Sequence, residues 1–408
     1  MGFTMMQQLP SFDLYQLNRP GPWVAAALVA VLIQALLRKR QTKPSETISN
    51  NNNGANKTTE TAIPTSFQMS VPTPYPDWSL ETTKPLPYRA FRYGPRYNIT
   101  MGLRSLPPIE WIELDNHYTK FHTEKAKRLL ERGDKCVKTD PEAYNAAMEL
   151  LQELTNYLPA RYPSLYRRTA VGIDNLWSGE SLNITEVLLR EDPMAMCARL
   201  VQDDLALMIE QPDGQYRLLA GAILLAGFWR LSDKFGMTLA DIHTSGNVPH
   251  FEEKLQSGMM KFFQRLRCDT FYARNNYFIQ VDDELAWSPS IGDEDEAVVS
   301  WGTAKKNKAI EHHFFRSERQ TLRRLPRTGA IVFTIRTYFA PITEIAEEDC
   351  VPGRLASAVR SWDEWVGEYK GRDKYGEILL EYLDRKHAEQ LQRGLDVDKV
   401  ESSKSYPW

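Results

Sequence analysis

Cysteine is scarce in this sequence: Cys136, Cys197, Cys268 and Cys350 are the four thiols, and no two stand in Cys-x-x-Cys spacing. That excludes a zinc ribbon and a ferredoxin-type iron–sulfur site. Scattered thiols in a chain of 408 residues suit a reducing compartment better than a disulfide scaffold. Their ordinary reading is as buried, inert groups. Also missing is a Gly-x-Gly-x-x-Gly turn after a strand, so no dinucleotide or flavin fingerprint is encoded. There is no excess of charge of one sign either. Lys+Arg number 50 against Asp+Glu 53, a formal net charge of -3, so electrostatics give no reason to expect nucleic acid as a partner. No internal repeat is visible.

What is present begins with an apolar run, Gly21 to Leu37, which contains Gln34 and no charge. It meets Arg38, Lys39 and Arg40 at its end, with Lys43 close behind. Bases after the run are wrong for a cleaved signal, which carries them before it. The expectation is an uncleaved transmembrane anchor over residues 21–40, at the short end of the usual span of about 20 apolar residues. By the positive-inside tendency the basic flank stays cytoplasmic. Residues 1–20 would then be a short luminal terminus, and the rest a cytosol-facing part of a single-pass protein of the endoplasmic reticulum. The sequons at Asn56, Asn98 and Asn183 would matter for a luminal domain alone. Residues 41–85 read as a disordered linker. They hold four consecutive asparagines (Asn50 to Asn53), many Ser and Thr, and Pro72, Pro74 and Pro76, a composition with too little apolar area to offset ordering entropy.

Beyond residue 85 the pattern is globular. The segment Trp111 to Glu131 reads as helical. Pro141 to Leu158 is an amphipathic helix with Asp140 as N-cap and Pro141 at its first position. A further helix is expected over Pro193 to Leu207, capped by Asp192. After the turn Pro212-Asp213-Gly214, the apolar stretch Tyr216 to Phe228 reads as a buried hairpin or strand pair. Thr270 to Tyr272 and Tyr277 to Val281 look like strands around a turn at Arg274-Asn275-Asn276. Ala330 to Tyr338 alternates, with Ile331, Phe333 and Ile335 on one side and Thr334, Arg336 and Tyr338 on the other. Helices close the chain over Ser361 to Gln392. The class is α+β, with an antiparallel sheet flanked by helices.

Three stretches carry the chemistry-bearing residues. The first is Met101-Gly102-Leu103-Arg104 with Trp111-Ile112-Glu113-Leu114-Asp115 and Tyr118. The second runs from Val201-Gln202-Asp203-Asp204-Leu205 through Gly227-Phe228-Trp229 and Lys234-Phe235-Gly236 to Ile242-His243. The third is Phe315-Arg316-Ser317-Glu318-Arg319-Gln320-Thr321-Leu322-Arg323-Arg324-Leu325-Pro326, continuing to Phe333 through Tyr338. With these in order from about Pro87 to Tyr369, the sequence resembles the haem-dependent oxidative N-demethylase alpha-subunit-like family. The resemblance implies a haem-binding, PAS-like sheet domain, placed at residues 86–370, with residues 371–408 as a C-terminal helix and tail. It implies O2-dependent oxidation of a small amine or secondary metabolite.

Haem iron needs an axial donor. The resemblance puts it at His243, although the family's Ile-His element continues Pro-Val-Pro and here continues Thr244-Ser245-Gly246-Asn247-Val248-Pro249. On sequence alone, a lone loop histidine is more often a surface or hydrogen-bonded residue, and His313 is the second choice as ligand. Arg316, Arg319, Arg324 and Arg336 are candidates to hold haem propionates or an anionic substrate group, since the guanidinium fork suits carboxylates. They equally suit ion pairs that lock the sheet to a helix. Asp203, Asp204 and Glu318 are the candidate catalytic carboxylates for proton handling during O2 chemistry. Asp203-Asp204 stands where the family has Glu-Asp, and Tyr277 where it has Trp. With no flavin or iron–sulfur motif, electrons would come from a separate reductase. Two other classes remain open: a non-catalytic PAS-like haem or small-ligand sensor, and a luminal, membrane-anchored glycosyltransferase using Asp282-Asp283 as a metal site.

Overall fold

A computed structural model describes residues 70–185, 189 and 191–396. The expected luminal segment, the apolar run Gly21 to Leu37 with its basic flank, and the linker up to residue 69 lie outside the described residues. The reading as a single-pass protein of the endoplasmic reticulum with a membrane partner is corrected. Among the described residues, no helix is long and apolar enough to cross a membrane. The run that prompted that reading contains Gln34 and sits at the lower limit of length for a span. The last part of the expected linker is packed. Trp78 is buried and donates its indole N–H to the Leu114 carbonyl at 2.7 Å, and the Tyr75 N–H donates to the Arg161 carbonyl at 2.8 Å.

The described fold is α+β. Ten strands form two antiparallel sheets: β1 (Arg104–Leu106), β2 (Val137–Thr139), β3 (Tyr166–Arg168), β4 (Gly172–Asn175), β5 (Ser181–Asn183), β6 (Asp204–Glu210), β7 (Tyr216–Ala222), β8 (Phe271–Gln280), β9 (Phe314–Arg324) and β10 (Ile331–Pro341). The large sheet has seven strands in the order β1-β8-β9-β10-β6-β7-β2, and β3-β4-β5 make a small one. The principal helices are α1 (Tyr118–Arg132), α2 (Tyr144–Arg161), α3 (Pro193–Leu200), α4 (Leu239–Ser245), α5 (Gln256–Arg265), α6 (Val351–Arg360) and α7 (Arg372–Gln392).

Local chemistry explains several boundaries. Asp140 accepts from the Glu142 N–H at 3.0 Å, opening a 3-10 turn at Pro141–Ala143 that leads into α2. Asp192 accepts from the Met194 N–H at 2.7 Å and starts α3. That helix ends at Leu200, short of the expected Leu207, because Leu205 and Leu207 are taken up in β6, where they pair with β7 and β10. The expected turn at Arg274-Asn275-Asn276 does not occur. These residues sit in the middle of one continuous strand, β8, and pair in register with Gln320, Arg319 and Glu318 of β9. Propensity favours a turn at Asn-Asn, but a full ladder on the β9 side, and the Arg104 guanidinium donating to the Asn275 side-chain carbonyl at 2.6 Å, hold the segment extended.

The large sheet is covered on both sides. Helices α1, α2 and α3 pack on one face through Trp111, Leu150, Leu154, Leu205 and Val332. Towards one end of the sheet, α6 and α7 pack on Tyr277, Ile279 and Phe315. The other face carries Ala206, Met208, Leu322, Ile331 and Ile335, covered by residues around α4 and α5.

Candidate functional site

Directly opposed residues in adjacent strands share a face of a sheet. Gln320 is opposite Arg274 and Ile335, and Glu318 is opposite Asn276 and Thr337. Glu318, Gln320 and Arg274 therefore lie on the face that α4 and α5 cover. Ser317, Arg319, Thr321 and Arg323 point the other way, towards α1 and α2.

His243 sits on the covering layer, in the last turn of α4 and not in a loop. The helix begins at Thr238, whose hydroxyl accepts from the Asp241 N–H at 3.1 Å. The imidazole Nδ1 lies 2.7 Å from the Leu239 carbonyl oxygen. A carbonyl can only accept, so Nδ1 carries the proton and Nε2 keeps its lone pair. Nε2 makes no hydrogen bond among the described residues. The ring stacks on Phe251 with centroids 4.7 Å apart and planes 10° apart, which fixes its orientation. Burial holds its pKa below the usual histidine value, the Leu239 hydrogen bond opposes that, and Arg274 and Lys234 add to the lowering. A neutral, oriented imidazole with one bare nitrogen, its other N–H tied to a backbone carbonyl, is the form in which histidine ligates a metal. His313 differs. It is fully buried against the Tyr375 ring (6.3 Å), its Nδ1 lies 3.1 Å from the Ala309 carbonyl, and its Nε2 is buried without a partner.

Of the three expected carboxylates, Asp204, opposite Ile335, shares the sheet face of Glu318 and Gln320, while Asp203 turns to the other. Glu318 is buried on the His243 side, accepts from Gln320 Nε2 at 2.9 Å, and has its pKa raised by burial against the pull of Arg316, Lys370 and Arg274. Asp203 belongs to the opposite side, near Arg336, Arg319 and Lys125. Burial pushes it up to about 6, and its carboxylate oxygens lack a hydrogen bond of ordinary geometry. Asp204 accepts the N–H groups of Leu224 (3.1 Å) and Leu225 (2.9 Å), with Lys125 Nζ at 4.0 Å, and so fastens the chain after β7 to the start of β6.

The four expected arginines are engaged by the chain itself. Arg316 donates to the carbonyls of Leu225 and Leu285, passing so close to Gly227 that a Cβ there would lie 2.7 Å from its Cζ. Arg319 bonds the carbonyls of Glu110 and Trp111 and pairs with Glu113 at 3.1 Å. Arg324 holds the carbonyls of Phe263 (2.6 Å), Leu266 (2.8 Å) and Gly329 (2.8 Å). Arg336 pairs with Asp115 at 2.6 Å.

Two residues of the His243 side were not singled out by residue type. The Arg274 side chain is half-buried and makes no hydrogen bond or ion pair among the described residues. Lys370 is buried over the rings of Phe278 (4.3 Å), Tyr277 (4.7 Å) and Trp362 (5.5 Å), with one hydrogen bond, to the Tyr277 carbonyl at 2.6 Å. Burial pulls it down to about 7, with Glu318 opposing and Arg274 assisting. The signal for Arg274 was a charge in the middle of an apolar-flanked segment, masked by its reading as a turn.

Among the described residues no group of three His, Cys, Asp or Glu stands ready for a metal ion. Asp282 is occupied by Gln280, Ser288 and Ser290, each at 2.6 Å, so the sugar-nucleotide metal site has no support in the geometry. All four cysteines are free and buried.

An imidazole with one bare nitrogen, on the layer that covers a sheet face bearing a guanidinium without a protein partner, is a donor set that suits an iron porphyrin: one ligand for the iron and one cation for its carboxylates. The family model that matches, over residues 102–380, is described as haem-dependent oxidative N-demethylase, alpha subunit-like. That stretch contains β1, His243, β8, β9 and most of the C-terminal helices, more than half of the sequence, and the chain belongs to this family.

Proposed function

We propose that this chain binds haem through His243 Nε2 and oxidises a small amine with O2, with electrons delivered by a separate reductase or partner subunit. Membership of a haem-dependent family supports an oxidoreductase with a small-molecule substrate. The observation that carries the finer reading is the His243 arrangement: Nδ1 tied to Leu239, ring clamped on Phe251, Nε2 free. Bound haem would supply O2 activation at its iron, a chemistry that protein side chains lack. For an N-methyl amine the overall change balances as amine, O2, two electrons and two protons giving the demethylated amine, formaldehyde and water.

The residues of the chain have separate tasks in this reading. His243 orients and ligates. The apolar lining from Phe251, Leu322 and Ile335 excludes water. Glu318, with its raised pKa, holds or releases a proton at its carboxylate within reach of a bound amine. Asp203 and Asp204 are not needed at the reacting atoms.

The test is direct. The full chain, reconstituted with haem, is expected to give a Soret band with a histidine-ligated signature. The His243→Ala variant should lose that signature and regain it with added imidazole. Formaldehyde should form from an N-methyl amine when O2 and a chemical reductant are supplied. A wild-type protein that stays colourless sinks the proposal; a haem complex with no turnover of any amine would favour the sensor reading.

A further inference from the structure

We infer that Arg274 is the carboxylate-holding residue of the His243 face, taking up either a haem propionate or the carboxyl group of the substrate. The inference rests on the haem reading for its first source and stands apart from it for the second.

The case starts from how this chain treats its buried arginines. Arg316, Arg319, Arg324 and Arg336 are each bonded to backbone carbonyls or to a carboxylate, as just described. Burying a guanidinium without such partners is costly, because desolvation is not returned by hydrogen bonds. Arg274 is the exception on the sheet face below α4. Its side chain is half-buried, with no carboxylate within ion-pair distance and no hydrogen bond among the described residues, and only its Nε is shut off from solvent.

Its neighbours have the complementary defect. Gln320, directly across the ladder, spends its amide N–H on Glu318 at 2.9 Å. That bond fixes which way the amide points, since the reverse orientation would set its oxygen against the carboxylate. Gln320 Oε1 is then left buried and unpartnered. That oxygen can only accept, so an incoming carboxylate would be held by Arg274 and not by Gln320. The charge is also unbalanced. Glu318 is the carboxylate shared by Arg316, Lys370 and Arg274. Arg316 also faces Asp204 and Asp282, and Lys370 is drawn down to about 7, so Arg274 is the cation of this set without a carboxylate of its own, and a planar carboxylate matches its fork. The influence of Arg274 reaches His243, Tyr369 and Lys370 as well, so an anion bound there lies on the same side of the sheet as the imidazole.

The two sources make different demands, and the unmodified protein separates them. If Arg274 holds a propionate, the full chain should bind protohaem roughly ten to a hundred times more tightly than its dimethyl ester, read by Soret titration. In Arg274→Gln that preference should vanish, with Arg274→Lys intermediate. If Arg274 holds the substrate, protohaem and its ester should bind alike. N-methylglycine should then bind at least about tenfold more tightly than dimethylamine, read by calorimetry on both haem-free and haem-loaded protein. Arg274→Gln should equalise the two.

A wild-type protein with neither preference overturns the inference even if the glutamine variant fails to fold. So does a folded Arg274→Gln variant that keeps whichever preference the wild type shows. Wild-type protein that takes up no haem removes the haem proposal, yet calorimetry with N-methylglycine still decides the role of Arg274.

Discussion

At the scale of single residues, burial decides which groups are chemical and which are structural. Lys125 shows the structural kind. Its ammonium, at zero exposure, donates to the carbonyls of Ala198 (3.3 Å), Val201 (3.0 Å) and Asp203, and burial lowers it to about 8 although Asp204 and Asp203 oppose the shift. Asp203 stands beside it with unpartnered carboxylate oxygens and a pKa pushed up to about 6. An acid raised in the folded state holds its proton at a pH where the unfolded chain has released it. Its contribution is therefore fully present below about pH 4 and is lost as pH rises through about 6. Asp203→Asn keeps the shape and removes the titration. The stability difference between variant and wild type should move in favour of asparagine between about pH 4 and 6, by an amount on the order of 3 kcal/mol, and stay level above pH 7. Urea unfolding across that range measures it. A difference that does not change with pH would mean that Asp203 is ionised throughout. Asp203 and Glu318 look equivalent in a sequence, since both are acids in charged, apolar-flanked stretches. Their faces differ, and face depends on a register that no single segment specifies.

At the scale of elements, caps were legible and interruptions were not. Asp140 and Asp192 each precede a proline at the start of an apolar period, and both side chains accept the expected backbone N–H. Asp192 does more, because Thr139 of β2 donates its hydroxyl to the same oxygen at 2.7 Å. Asp192→Ala should lower the stability of the protein by about 1–2 kcal/mol, and Asp140→Ala, whose bond is exposed, by no more than about 1 kcal/mol. Urea midpoints test the ranking, and a larger loss at Asp140 would contradict it. The helix start at Pro193 was readable because a cap is local. Its end at Leu200 was not, because Leu205 and Leu207 read as helical until β7 and β10 arrive to pair with them. Arg274-Asn275-Asn276 failed for the same reason in reverse. Asparagines suit turns in isolation, but here the ladder to β9 outweighs the local preference. His243 was put forward by the resemblance alone, and its helix was not foreseen, since Thr238 caps a short helix of seven residues.

At the scale of the whole described fold, one sheet divides two kinds of chemistry between its faces. Strand β9 alternates Arg316, Glu318 and Gln320 with Ser317, Arg319, Thr321 and Arg323. A dense run of charge in the sequence is thus separated into a His243 side and a side packed against α1 and α2. On the packing side, Arg323 lies over the rings of Trp111 (4.5 Å) and Phe271 (4.6 Å) and pairs with Glu153 at 3.1 Å, locking the sheet to α2. Truncating it strands the Glu153 carboxylate and empties the space above two aromatic rings, a loss of about 3–5 kcal/mol. Glu318 on the other side is buried with its ionised form disfavoured, so Glu318→Gln removes a charge that folding has to desolvate and should leave stability within about 1 kcal/mol at neutral pH. The two substitutions should consequently have opposite signatures. Arg323→Ala is expected to lower the unfolding midpoint sharply while the haem-loaded, folded fraction keeps an unchanged Soret band. Glu318→Gln should hold the midpoint and alter the pH dependence of amine binding to the haem-loaded protein. Unfolding curves and spectra taken on the same samples compare them. A Soret change in Arg323→Ala together with an indifferent Glu318→Gln would mean that the functional face of the sheet lies against α1 and α2, opposite to the side on which His243 stands.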